Sequence, residues 1–333
     1  MVSIKTRKEI LSAKKYSDVF NENADIAKKE FREYCKLYHP DSDSSKEAAE
    51  LFCIIQELYN NKHRVSVSNS TVNDTVTFKD KKTGKGFSLS NPIIFNNGIA
   101  MIYHTATKVA MVYDKTYKKF FDNYIENVSK LKYEDSNMEK EFKRYFPKVL
   151  KHFETEDKQL CILLDKTPEV LSLGKIVRAY ESKGEKFPER HAAWILNRLY
   201  NIECYLNFYH KVSNGLSIDN LWVSPEMHTI LLFSGWEYTT DIDDTMIGCT
   251  KDVYKILPIK VKDTKRSQTI TDLESIKSIG RILFKGHKDL EYINNFLNSG
   301  TSDDVFKEWE LYRGAIKKQF GKSEFIIWED VPY

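Results

Sequence analysis

Apolar residues recur at intervals of three and four over Asp25–Tyr38. Phe31, Tyr34, Cys35 and Tyr38 form one stripe, a spacing that predicts an amphipathic helix. Pro40 ends it, because a proline pushes the residue before it out of helical geometry. Ser44 with Glu47 three residues on is a capping-box pattern, and Leu51, Phe52, Ile55, Leu58 and Tyr59 give the next helix its apolar face. Two helices joined by so short a corner should pack antiparallel. A shorter helix is expected around Tyr16–Phe20. Arg64–Gly86 is rich in Ser, Thr, Asn, Asp and Lys and reads as a linker with room for one short strand.

Beyond the linker the period changes. Pro92–Phe95, Ile99–Tyr103 and Val109–Tyr113 read as three strands, the first two joined by an Asn96-Asn97-Gly98 hairpin turn. Helical spacing follows over Tyr117–Leu131 and Met138–Tyr145, then two more strands at Val149–Phe153 and Leu160–Leu164. After Lys166 the pattern is mostly helical: Leu171–Ser182, a long run Glu189–Tyr209, Asp272–Phe284, and further helices to Phe320. A small hairpin, Leu221–Val223 with Thr229–Phe233, interrupts them.

A length of 333 residues suits a small unit joined to a larger one, and 41% hydrophobic with 30% charged residues is a soluble globular balance. No run of eighteen apolar residues occurs, so no membrane association is expected. Met1–Lys15 is polar and basic without an apolar core, so no secretory signal is expected. A net charge of +3 is too small to argue for nucleic acid. Cys35, Cys53, Cys161, Cys204 and Cys249 are odd in number and sit in apolar surroundings, as buried thiols of a reducing, cytoplasmic compartment do. No metal-ligand spacing is present, and no cofactor is expected.

The first segment resembles the J-domain of DnaJ-type co-chaperones. The resemblance rests on Lys28-Lys29, Phe31, Arg32, Tyr34 and Tyr38, then His39-Pro40-Asp41, then Phe52, Ile55 and Tyr59. It implies an all-α hairpin over residues 1–63 that engages a DnaK-type chaperone and stimulates its ATP hydrolysis. In that role His39, Pro40 and Asp41 trigger the partner while Lys28, Lys29, Arg32 and Lys36 steer toward its acidic surface. The proline-fixed corner limits the entropy lost on docking.

Residues 87–333 resemble a protein kinase, with an antiparallel-sheet N-lobe over about 87–166, a helical C-lobe over about 167–333, and residues 64–86 as the linker. The carrying stretch is Tyr209–Trp236: Tyr209-His210 ends the long helix, Asn220 falls on the family's catalytic-loop asparagine, and Gly235 on the glycine of its metal-binding triplet. Ser278-Ile279-Gly280 is similar to a triplet of the central C-lobe helix. The parts that phosphoryl transfer needs are missing at the matching positions. The first hairpin has one glycine, Val112 falls where the third strand's lysine belongs, Gly215 where the catalytic aspartate belongs, and Phe233 or Ser234 where the metal-binding aspartate belongs.

The expected fold class is therefore α+β, a helical hairpin plus a two-lobed kinase-like body. The expected function is that of a co-chaperone or adaptor without catalytic residues, recruiting the chaperone to a partner protein held by the kinase-like part. The alternative is an atypical nucleotide site built on Asp219, Asn220 and Lys115; against it, Asp219 and Asn220 can simply hydrogen-bond their own loop. Glu139 and Glu141 are expected on a solvated face, Asp241, Asp243 and Asp244 in an acidic turn, and Ile259–Gln268 in a basic solvated loop.

Overall fold

The computed structural model describes residues 4–39, 42, 43, 45, 47, 48, 50–52, 54, 55, 58, 59, 75–322, 325–329, 331 and 332. Pro40, Asp41, the capping Ser44, Cys53 and residues 64–74 of the linker lie outside them.

The N-terminal unit is helical. Helix α1 (Arg7–Ser12) opens on a capping box in which Thr6 and Glu9 satisfy each other's backbone N–H groups. A 3-10 turn (Tyr16–Asp18) follows, where a weak helix was expected. Helix α2 (Ala24–Tyr38) is capped by Asn23, whose side chain accepts from the N–H groups of Asp25 and Ile26. The described residues of 47–59 are helical and form α3. Phe31 and Tyr59 stack at 4.1 Å and 17°, and Phe20, Tyr34, Leu51 and Ile55 complete a core of their own. Helix α1 escapes the sequence pattern because a single residue, Ile10, buries itself from its six residues.

The next lobe is a five-stranded antiparallel sheet in the order β3-β4-β5-β7-β6. Its strands are β3 (Ile93–Asn96), β4 (Ala100–His104), β5 (Lys108–Tyr113), β6 (Val149–Glu154) and β7 (Leu160–Asp165). Helices α4 (Lys118–Ser129) and α5 (Ser136–Phe142) lie between β5 and β6 in the chain. Strands β1 (Thr75–Lys79) and β2 (Gly86–Ser90) pair as a separate hairpin, so the segment read as linker carries β1 and the start of β2. Phe78 and Leu89 of this hairpin cover Ala110, Val112, Cys161 and Leu163 on one face of the sheet. An apolar outer face needs such a cover, and the alternating valines of the segment were its only trace in sequence.

The second lobe is helical: α6 (Leu173–Ser182), α7 (Glu189–Phe208), α8 (Lys251–Ile256), α9 (Ile259–Thr264), α10 (Thr269–Leu283), α11 (Glu291–Asn298) and α12 (Val305–Phe320). Strands β10 (Leu221–Ser224) and β11 (Thr229–Leu232) form the small hairpin, extended by β8 (Leu171–Ser172). Strands β9 (Lys211–Val212) and β12 (Thr240–Asp241) pair alongside. The basic stretch expected as a loop begins as helix α9, with only Val261 buried. Core residues of both lobes are continuous, from Ile102 and Met111 of the sheet through Trp222 and Trp236 to Leu283 and Tyr312. Among the described residues no helix is long and apolar enough to cross a membrane.

Candidate functional site

The corner after α2 comes first. His39 caps the helix with an extended backbone, and its carbonyl accepts the N–H groups of Ser42 and Asp43, which makes a tight turn. The expected trigger residue is not presented to solvent: His39 is 0% exposed. Its Nε2 lies 3.3 Å from the Met227 carbonyl, and its ring meets those of Phe52 (5.0 Å), Phe325 (4.7 Å) and His228 (5.4 Å). Met227 belongs to the turn between β10 and β11, and its side chain is buried in the core of the N-terminal unit.

The cationic face of α2 is partly engaged in the same way. Lys28 pairs with Glu226 at 3.1 Å and Arg32 with Glu329 at 3.7 Å, while Lys36 pairs within its own helix with Glu33. Lys29 is exposed. Half-exposed pairs of this kind contribute about 0–1 kcal/mol each. The seam therefore depends mainly on Met227, His39 and Phe325, and fully burying a side chain such as that of Met227 is worth about 1.5–3 kcal/mol.

The second region is the space between the lobes. Side chains of β5 alternate: Val109, Met111 and Tyr113 face α4 and the second lobe, whereas Ala110 and Val112 face the β1–β2 hairpin. The position facing the second lobe near the strand end is therefore Tyr113, whereas Val112, which the kinase resemblance matches to the third strand's lysine, faces the β1–β2 hairpin. A slip of one residue exchanges the two faces. Tyr113 donates its hydroxyl to Glu237 (3.2 Å), and Tyr124 of α4 donates to the Phe233 carbonyl (2.7 Å). Nearer the lobe connection, His104 meets Trp222 edge-on at 4.9 Å, and Lys166 donates to the carbonyls of Ala106 and Thr167. Burial lowers His104 to about 3 and Lys166 to about 8, so the imidazole is neutral.

The loop joining α7 to β10 is held from below. Asp272 on α10 accepts the backbone N–H groups of Ser213 (2.5 Å) and Asn214 (3.0 Å). Burial lifts Asp272 to about 7 against those two bonds. Its neighbour Glu203 on α7 is pushed well up, first by burial and then by the Asp272 charge. Asn214 sits at φ +55° with its amide donating to Thr240 Oγ1 and Ser267 Oγ.

Gly215 follows, and a Cβ there would lie 2.8 Å from the Gly235 Cα and 2.9 Å from its carbonyl oxygen. The two glycine backbones touch where a catalytic carboxylate would have to project. Gly235 itself needs φ +107°, which glycine adopts without penalty. Behind it, the fully buried Glu237 accepts from the Gly235 N–H and from Tyr113, and it also bonds the Asn97 side chain of the first hairpin turn. A carboxyl thus stands under the turn that would have to cradle phosphate.

The three residues of the alternative nucleotide site have separate partners. Asn220 is buried, donating to the Gly215 carbonyl (2.8 Å) and accepting from the Ser234 hydroxyl (2.7 Å). Asp219 pairs with Arg178 of α6 at 2.7 Å, and Lys115 with Glu154 of β6 at 2.8 Å. Glu139 and Glu141 pair with Lys143 and Arg144 at the surface, and Asp241 pairs with Lys211. No group of His, Cys, Asp and Glu among the described residues is arranged to hold a metal ion.

Glu237 makes one prediction. Burial raises it to about 7 from an ordinary carboxyl value of 4.5, so its proton favours the folded state. That contribution is complete below about pH 4.5 and is lost as pH rises through about 7, the window Asp272 shares. Glu237→Gln should flatten, without abolishing, the fall in thermal midpoint between pH 5 and 8. An unchanged slope would contradict the assignment.

Five antiparallel strands with two helices between the third and fourth, and then a helical lobe with a loop and hairpin after its long helix, make a protein-kinase-like fold. Solved structures agree. The chain is similar to vaccinia related kinase 3 at 12% identity, with a TM-score of 0.51, covering 79% of this chain and 96% of that one. It is also similar to the kinase domain of BubR1 at 10% identity, with a TM-score of 0.54, covering 82% of this chain and 94% of that one. At such identities the likeness is one of fold. No family model matches the sequence, and no curated protein matches it. The N-terminal helical hairpin is compatible with a J-domain.

Tyr113, Asp272 and Glu237 were not singled out from sequence. The first depends on strand register. The other two are single acids whose burial no local pattern announces.

Proposed function

We propose that the protein is a non-catalytic adaptor of the J-domain co-chaperone type, with the kinase-like body as its partner-binding platform. What carries the reading is the joining of two things: a separately packed hairpin with a cationic α2 turning at His39, and a body whose loop places Gly215 against Gly235. In the closed arrangement Met227, Glu226 and Phe325 occupy the face that a DnaK-type chaperone would need. The chaperone therefore competes with the body for α2 and His39, and the adaptor works through its open population.

The test is the ATP turnover of a DnaK-type chaperone with the wild-type chain and with Glu226→Lys/Glu329→Lys. These changes turn two attractions at α2 into repulsions. Weakening closure by about 1 kcal/mol raises a minor open state about fivefold, and stimulation should rise accordingly. Adding His39→Gln to the double variant should erase the gain, with thermal unfolding as the control for folding. Absence of stimulation by both chains at micromolar concentration would overturn the reading.

A further inference from the structure

Residues of α7 and α12, with His228, Gly321, Lys322 and Ile326, line an open recess of about 670 Å³. This lies within the volume range of sites for small organic ligands. Its floor is apolar: Trp194, Tyr312, Ile316, Phe320 and Ile326. The polar atoms of the two larger floor rings are already used, since Trp194 Nε1 donates to His191 and the Tyr312 hydroxyl to the Ala193 carbonyl. What these rings offer a ligand is therefore mainly their faces.

Among the described residues the lining carries four exposed cations, Arg190, Arg313, Lys317 and Lys322, besides His228, against one carboxylate, Glu310. Among the described residues none of the four is ion-paired with a carboxylate, and two of them rest instead over rings, Arg190 on Phe320 and Arg313 on Trp309. Elsewhere the exposed cations Lys285 and Lys143 each have a carboxylate within 4 Å. An apolar floor under a rim with excess positive charge is complementary to an amphipathic anion.

We propose that this recess binds a small amphipathic organic anion, an alkyl or aryl body inside and a carboxylate or phosphate head on the Arg190–Arg313–Lys317–Lys322 rim. The proposal does not depend on the co-chaperone reading. Gly314 also lines the recess, and a Cβ added there meets nothing within 4 Å. A side chain at 314 can therefore enter the space without strain, and it improves helix propensity.

The experiment is calorimetric titration and thermal unfolding of the full chain with dodecanoate below its micellar concentration. Dodecyl phosphate serves as the second head group and dodecyltrimethylammonium as the control of opposite charge. One saturable site per chain for an anion, with a raised midpoint, is expected. Preference for one of the two anions identifies the head group. Arg313→Glu/Lys317→Glu should weaken binding at least tenfold. Gly314→Leu should block it while leaving the unliganded midpoint equal or higher. Equal binding of the ammonium analogue, no saturable anion binding, or full affinity in both variants would overturn the proposal.

Discussion

Gly215→Asp should destabilise the protein by about 3 kcal/mol or more and should not create phosphoryl transfer. The position looks like the obvious place to restore a catalytic base, yet the Cβ alone would stand 2.8 Å from the Gly235 Cα and 3.1 Å from the Tyr238 ring. Overpacking in a buried site costs about 1–3 kcal/mol, and burying an unpartnered carboxylate adds more. The strand, turn and loop that would have to yield are held by the Asp272 bonds, by Asn220 and by Glu237, so relaxation is limited. Urea unfolding reads the stability, and transfer of labelled phosphate from ATP reads the chemistry. A variant as stable as wild type that labels itself or a substrate would show that the two glycines are not in contact in solution.

Lys277→Met should cost about 3–5 kcal/mol. Lys277 of α10 and Glu308 of α12 are both fully buried and lie 2.7 Å apart, and Lys277 also donates to the carbonyls of Ser299 and Gly300. Methionine approximates the shape of the lysine stem but removes the cation that faces the buried Glu308, which keeps only the Ser302 N–H among the described residues, and that is where the cost of breaking a buried pair arises. For a body of this size that corresponds to a fall in midpoint of about 6–10 °C. Lys277→Met/Glu308→Gln should recover much of the loss, since no uncompensated charge remains. A loss below about 1 kcal/mol in the single variant would mean that water reaches the pair.

Much of the fold was legible because long periodic segments declare themselves. The stripes of α2, α7 and α10, and the alternation of β4 and β5, fall within a few residues of their expected places. The failures have physical causes. Helix α9 was read as a loop because its lysines outnumber its one buried residue. The β1–β2 hairpin was hidden because a half-exposed strand pair shows little contrast between its faces. At the candidate site, the kinase resemblance pointed to the absence of carboxylates at 215 and at 233 or 234 but not to what stands in their place. Tyr113, Glu237 and the Gly215–Gly235 approach arise from contacts between segments far apart in sequence. The burial of His39 was likewise invisible: its cover comes from Met227 and Phe325, almost 190 and 290 residues farther along the chain.

The abutting glycines also bear on how this lineage can change. A carboxylate at 215 gains nothing until the backbone at 235 retreats. That retreat also removes the bond that Glu237 accepts from the Gly235 N–H, beside the one it accepts from the Tyr113 hydroxyl. A side chain at 215 therefore needs a second change at 235, which no single substitution supplies.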